Sequence, residues 1–416
     1  MAESSRLSVV LALSGLPTSE APHRSILALR EALELSSIVD LRVLFMRAWK
    51  PGRRRIEHGS LQGIPLTTIT APQVPFGRNR SPILGLDLVM YRSWGERVVR
   101  DLISSADLVH SVNLVRCGIP ISHFARAAGT HHVAQLLGSE VISVLPRVPN
   151  VPAIRGWHEH VHAVASHGRK LAEHFSRRFP GIPNVTSILR GVDLEAFRQA
   201  GETLGPQRDL RPVRFAYFGG FPPAKDTPGA RNRKGGENLL RAWAETESER
   251  DDSASLLIAG PGARDRFVAR WQANLRRPER VFLVGQIPSG RMAGYLRACD
   301  VVLIPSLEEG LPNLGMEAQA CGKPILASDA WGLPEIVTDG ETGLLFRAGS
   351  VGDLGRAISV ASRQTDVLAR WGRRAREHAE ARFDARRFAP RMMALYRRAL
   401  AEPLDDVPSV RTTHAK

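Results

Sequence analysis

The run from Asp300 to Phe346, DVVLIPSLEEGLPNLGMEAQACGKPILASDAWGLPEIVTDGETGLLF, restricts the fold of this chain more than any other stretch. Val301–Pro305 is a short apolar run rich in β-branched residues and bounded by turn residues, the pattern of a buried parallel strand. Ser306–Asn313 follows as a loop, Leu314–Cys321 as a helix stopped by Gly322, and Ile325–Ser328 as a second strand. A strand, a loop bearing Gly and Pro, and a helix N-terminus together make an anion site. The first-turn amides lack partners there and carry the positive end of the helix dipole. Glu309 in the loop and Glu317 in the helix would repel an anion, so they suit hydrogen bonds from hydroxyl groups. Amides for an anion beside carboxylates for hydroxyls describe a nucleotide-sugar pocket. The plain alternative is an ordinary βαβ unit with two solvated glutamates.

The same stretch resembles the donor-binding signature of retaining GT-B glycosyltransferases of family 4 (group 1). EGLPNLGME, ACGKP, GLPEIV and GETGLL occur in the family's order and at its spacing. The resemblance implies an α/β chain of two doubly wound Rossmann-like domains facing across a cleft, with a C-terminal helix crossing back to the first. The boundaries expected on this basis are an acceptor-side domain over 1–198, a linker over 199–212 and a nucleotide-sugar-binding domain over 213–384. The crossing-back helix covers 385–402, and a disordered tail covers 403–416. By the same resemblance Glu309 holds donor sugar hydroxyls and Glu317 accepts from the ribose. Lys234 and the backbone of Gly310, Leu311, Pro312 and Asn313 stabilise the diphosphate, and Gln286 and Ile287 meet the base. Glu309 and Lys234 are the expected catalytic pair.

The length of 416 residues suggests two domains, and 43% hydrophobic with 24% charged residues is a globular composition. Cys117, Cys299 and Cys321 are odd in number and widely spaced, which excludes a disulfide framework or a zinc site and points to a reducing compartment. No stretch approaches the ~20 apolar residues of a membrane span. Leu7–Leu13 reads as the first strand, being short and without a small-residue cleavage pattern. The net charge of +15 comes from arginines spread along the chain without aromatic interleaving. A high-GC genome would produce the same excess. Of the functional readings, an anionic membrane at the cytoplasmic face fits better than nucleic acid, for which no module is present.

In order, Leu7–Leu13, a helix over Ser25–Leu35 and a strand over Leu41–Phe45 open a parallel sheet, with Gly15 at the first turn. Trp49 to Tyr91, with KPGRRR and VPFGRNRSP, reads as a basic acceptor-side loop. Asp107–His110 is a strand, Cys117–Gly129 a helix, and His131 begins another strand. That strand leads to Leu137-Gly138-Ser139-Glu140, where the family has His-Gly-(Ser/Thr)-Asp. Leu137 can neither donate a hydrogen bond nor titrate, while Gly138 keeps a close backbone approach. Together with Gly15 these two line the expected acceptor-side cleft. His158–Ala165 reads as strand-like, and His167 as a surface histidine.

The second domain opens with a strand at Val213–Gly219. Gly219 is followed by Gly220 where the family has arginine, so Arg231 or Arg233 would have to supply that cation beside Lys234-Gly235. Glu237–Ala244 is a helix, Ser255–Gly260 and Val281–Gly285 are strands, and Arg291–Cys299 is a helix. Val351–Arg382 is helical, and Phe388–Leu400 is the terminal helix. No Asp-x-Asp follows a strand, so no carboxylate-held metal is expected and the donor, a UDP- or GDP-sugar, serves as substrate without a cofactor. The implied activity is transfer of that sugar, with retention, to a glycan or lipid-linked acceptor. The departures at Leu137 and Gly220 keep open a non-catalytic GT-B scaffold.

Overall fold

The computed structural model describes residues 6–17, 26–48, 55–71, 96–138, 140–147, 156–210, 213–221, 233–247 and 254–404. The chain forms two compact units. The first takes Met1–His167, Leu171–Ile188 and Ala389–Lys416, and the second takes Gly168–Lys170 and Leu189–Phe388.

Unit 1 is built on an eight-stranded sheet in the order β3-β4-β2-β1-β5-β6-β7-β8. Its strands are β1 (Ser8–Leu13), β2 (Asp40–Ala48), β3 (Ile56–Leu61), β4 (Ile64–Ala71), β5 (Leu108–Val112), β6 (His131–Leu136), β7 (Ala163–Ser166) and β8 (Val185–Ser187). Every pairing is parallel except β3 with β4. Val9–Leu13 are essentially unexposed, because β1 is central and the crossover helices cover both faces. Those helices include α1 (Ile26–Ser36), helical residues 96–104 (α2), α3 (Ile119–Ala128) and α4 (Arg169–Arg178).

Three expectations change in this unit. Residues 56–71, read as loop, form the β3–β4 hairpin, whose two-residue turn places Gln62 at φ 49° and Gly63 at φ 90°. Positive φ at both central positions is the turn that matches strand twist, and the β-branched run LTTITA at 66–71 was the available signal. The flanking basic segments 49–54 and 72–95 lie outside the described residues. His158–Ala165 is not one strand: Trp157–His160 is a short 3-10 turn before β7. His167 is buried at 3% exposure, not on the surface.

Unit 2 holds a six-stranded, all-parallel sheet in the order β11-β10-β9-β12-β13-β14. Its strands are β9 (Arg214–Tyr217), β10 (Ser255–Ala259), β11 (Val281–Gly285), β12 (Val301–Ile304), β13 (Ile325–Ser328) and β14 (Gly343–Phe346). Its helices are α5 (Gly236–Glu245), α6 (Arg266–Ala273), α7 (Met292–Ala298), α8 (Asn313–Ala320), α9 (Leu333–Ile336), α10 (Val351–Arg363) and α11 (Thr365–Arg382). The strand order reverses between β9 and β12, so the switch point where such sheets receive ligands lies at their C-terminal ends. The helical stretch expected over 351–382 is two helices, separated where Gln364 turns to φ −122°.

The expected linker is part of this second unit. Gln207 is fully buried, donating to the Phe215 carbonyl at 3.1 Å and accepting from Ser255 Oγ at 3.1 Å. The amide of Leu204 donates to the Gly294 carbonyl. Polar composition suggested a tether, but a satisfied buried amide makes this segment core. The boundary falls at Ile188, ten residues before the expected end of the first domain, because Val192 bridges to Asp384 inside unit 2.

The last helix, α12 (Phe388–Leu400), gives its residues from Ala389 onward to unit 1. Tyr396 Oη and His110 Nδ1 lie 2.8 Å apart in a fully buried pair, and Asn184 Nδ2 donates to Glu402 Oε1 at 2.7 Å. Burial drives the Tyr396 phenol well above its ordinary value, so it remains protonated. The expected disordered tail lies outside the described residues from 405 onward.

Candidate functional site

The chemistry-bearing residues of unit 2 gather at the C-terminal ends of β9 and β12. Lys234 precedes α5, Glu309 follows β12, and Lys234 Nζ donates to Glu309 Oε2 in a part-buried ion pair. Their loops interlock. The Leu307 amide donates to the Arg233 carbonyl at 2.8 Å. Gly235 takes φ +71°, and a Cβ there would lie 1.7 Å from the Pro305 carbonyl oxygen. Only glycine allows the two loops this close.

Tyr217, at the end of β9, fixes the floor. Its hydroxyl donates to the Gly220 carbonyl at 3.0 Å and lies 3.3 Å from the Lys234 carbonyl. Burial first, and then the negative charge of Glu309, push its pKa up, so it stays a donor. Nothing in the family signature pointed to Tyr217. The available signal was a hydroxyl ending an otherwise buried strand. Gly220 sits at φ +62° with the Pro261 carbonyl oxygen 2.5 Å from any added Cβ. This accounts for the missing arginine: the turn leaves no room for a side chain. Gly219 is equally closed, since a Cβ would meet Tyr217 Oη at 2.4 Å.

The carbonyl of Glu309 accepts the Gly332 amide at 3.3 Å, and a Cβ at Gly332 would lie 1.7 Å from the Gly310 carbonyl oxygen. EGLPN and GLPEIV are therefore one packed piece. Leu311 and Pro312 are buried, and α8 begins at Asn313 behind Pro312 with no side-chain cap. Asn313 Oδ1 is buried without a hydrogen-bond partner among the described residues. An uncapped helix N-terminus beside a lysine offers amides and positive charge to an anion. Glu317 lies one turn further along α8, half-buried.

The other expected donor residues are less closely joined. Arg233 contributes its backbone carbonyl, and its side chain is exposed. Arg231 lies outside the described residues. Gln286 is exposed after β11, and Ile287 packs partly buried on the core beneath. Among the described residues no group of three or more His, Cys, Asp or Glu is placed to hold a metal ion.

In unit 1, Gly15 follows β1 and Leu137 follows β6. The Leu137 amide donates to the carboxylate of Glu140, and Gly138, at φ 134°, accepts from the amides of Val141 and Ile142. The glutamate that replaces the family's aspartate thus closes its own turn. Sequence reasoning missed Asn113, which takes φ 76° after β5 and caps the following π-helical turn through the Arg116 amide. An asparagine after a buried strand was its signal.

Residues 229–378 match the family described as glycosyl transferases group 1. This segment of the chain is thus similar to the group 1 glycosyltransferases. D-inositol 3-phosphate glycosyltransferase of Saccharomonospora viridis is 31% identical over 254 residues, 55% of this chain and 54% of the relative. Its counterpart in Gordonia bronchialis is 42% identical over 119 residues, 29% of this chain and 26% of the relative. The chain thus spans about half or less of the length of these relatives. Among solved structures, HepE of Anabaena in complex with UDP aligns at TM-score 0.69 and 16% identity, covering 93% of this chain and 99% of that one. Sucrose-phosphate synthase of Thermosynechococcus elongatus aligns at TM-score 0.71 and 22% identity, covering 95% and 99%. These likenesses establish the GT-B fold. The matched segment contains Lys234, Glu309 and Glu317.

Proposed function

We propose that the protein is a retaining, metal-independent glycosyltransferase that moves a sugar from a nucleoside-diphosphate donor to a glycan or lipid-linked acceptor. The observation that carries this is the Lys234–Glu309 pair beside the uncapped N-terminus of α8. Lys234 and the α8 amides receive the diphosphate, whose charge grows as the glycosidic bond breaks. Glu309 accepts from the sugar hydroxyls and Glu317 from the ribose. No protein nucleophile is assigned: the acceptor attacks on the departing face and its proton passes to the leaving phosphate. HepE has been solved with UDP-glucose, which favours a UDP-sugar, and the names of the relatives above are the reason to include inositol 3-phosphate in the acceptor panel. Among the described residues no helix is long and apolar enough to cross a membrane. The basic charge suits an anionic surface bearing a lipid-linked acceptor.

The test is nucleotide release from UDP-, GDP- and ADP-sugars, with acceptors of each class, in buffer and in EDTA. One nucleotide class is expected to turn over, unaffected by EDTA. Loss of activity in EDTA, restored by Mn²⁺, would overturn the metal-free reading. Nucleotide binding without turnover of any donor would favour the scaffold, which Leu137 in place of histidine also suggests.

A narrower test is Glu317→Ala, expected to weaken nucleotide binding by about 1.5–3 kcal/mol, the worth of hydrogen bonds to a charged group. Titration calorimetry with the nucleotide of the active class reads this directly. Unchanged affinity in a folded variant would remove the ribose role.

A further inference from the structure

A buried polar chain behind α8 is not used by the chemistry above. Gln319, fully buried on α8, donates from Nε2 to the Ile336 carbonyl at 2.8 Å and to Thr342 Oγ1 at 3.2 Å. Its Oε1 is therefore the acceptor facing His378 Nδ1, 2.8 Å away on α11. On the other edge of the ring, Arg382 Nη1 lies 3.0 Å from His378 Nε2. Arginine has no acceptor, so Nε2 must be the bare nitrogen. The two edges independently specify one state, a neutral imidazole with its proton on Nδ1. Arg382 continues the chain by donating to the Glu335 carbonyl at 3.1 Å.

We propose that His378 is a positioning residue. As the neutral Nδ1–H tautomer it ties α11 to Gln319, and through Gln319 it sets α8, which presents Asn313 and Glu317 to the nucleotide. This deepens the functional reading above and rests on it. Gln319 lies two residues beyond Glu317, so a slip of α8 at Gln319 moves the ribose acceptor and the helix N-terminus together.

Acid should break the chain. A proton on Nε2 would face a guanidinium donor, leaving donor against donor and charge against charge. Burial first, and then the Arg382 charge, hold His378 down at about 4. Among the described residues the remaining faces add no opposing charge. Gln319 is neutral, Phe383 packs edge-on with ring centroids 5.1 Å apart, and α9 presents the Glu335 carbonyl. The Glu335 carboxylate is occupied by the amides of Arg169 and Lys170. A base whose folded value is lowered binds fewer protons folded than unfolded. Its stabilising effect is complete above its ordinary 6.5 and is lost as pH falls toward 4.

The first measurement is long-range ¹H–¹⁵N correlation on the full chain labelled at histidine, with His378 assigned by its absence from His378→Asn. The expected spectrum has Nδ1–H at neutral pH and does not titrate near 6.5, the ordinary histidine value. An Nε2–H tautomer, or titration near the ordinary value, overturns the proposal. The second is calorimetric affinity for UDP and GDP, with kcat and KM for the active donor. His378→Phe, which keeps bulk and removes both nitrogens, is expected to bind about tenfold more weakly, mostly through KM. His378→Asn keeps a donor near Nδ1 and cannot titrate. It is expected to restore affinity to within about threefold and to flatten the decline that wild type shows as pH falls from about 5 toward 4. Wild type that binds nucleotide, with His378→Phe binding equally well, sinks the positioning role alone. Wild type that binds no nucleotide sinks the functional reading, and the positioning role with it.

Discussion

Replacing Lys234 by alanine is expected to lower kcat by about 100- to 1000-fold, the loss that follows removal of one group aimed at developing charge. Two effects act together. Under the proposed function, the diphosphate loses the lysine that neutralises its growing charge. Glu309 also loses the cation that now donates to its carboxylate, so on that reading an uncompensated negative charge remains beside the incoming diphosphate. Lys234 and Glu309 pair with each other. Under the proposed function, donor binding hands Lys234 to phosphate and leaves Glu309 for sugar hydroxyls. Lys234→Arg keeps the charge but replaces a compact ammonium with a planar fork, and is expected to recover part of the rate. Steady-state nucleotide release measures both variants. A loss below about tenfold in Lys234→Ala would place the charge stabilisation elsewhere, with the α8 N-terminus as the remaining candidate.

Gly235→Ala should destabilise the protein by about 4 kcal/mol, combining left-handed backbone strain with the crowding of an added methyl. The methyl would lie 1.7 Å from the Pro305 carbonyl oxygen, and rigid backbone cannot swing aside as a flexible side chain does. Because Arg233 and Leu307 join the same two loops, relief of the clash would also pull Lys234 from Glu309. Urea unfolding reads the stability loss, and nucleotide affinity reads the displaced lysine. A variant within about 1 kcal/mol of wild type would mean that the loops stand further apart than described here. Gly63→Ala is the contrasting control: φ is also positive there, but nothing lies within 4 Å, so strain acts without a clash.

Local patterns made much of unit 2 legible. β12, α8 and β13 fall within a residue of the spans expected from hydrophobic run length, Gly322 and Pro305, because each is decided by neighbours in sequence. What remained hidden depends on distant partners. Gly220 looked like a lost arginine until Pro261 was seen to occupy the space. Gln207 sat in a polar, Gly- and Pro-bearing stretch, and only its bonds to Phe215 and Ser255 make it core. The β3–β4 hairpin was masked by arginine-rich flanks, although Ile64–Ala71 alone has strand composition. At the candidate site the motif residues Lys234 and Glu309 were named in advance. Tyr217 and the Gln319–His378 chain were not, since no spacing rule links α8 to a histidine 59 positions later.

Unit 1 does not own a continuous piece of chain. Its closing helix follows the whole of unit 2, and the buried pair His110–Tyr396 joins residues 286 positions apart. Chain growth from the N-terminus therefore inverts the order of completion. Residues 189–388 leave the ribosome as a finished set while β5 still lacks Tyr396 and β6 still lacks Glu402, and the half made first is sealed last. Contacts so remote in sequence close slowly, and until they close the apolar ground beneath α12 stays open to wrong partners. A nascent chain arrested after residue 388 would thus hold the second unit tethered to an unfinished sheet.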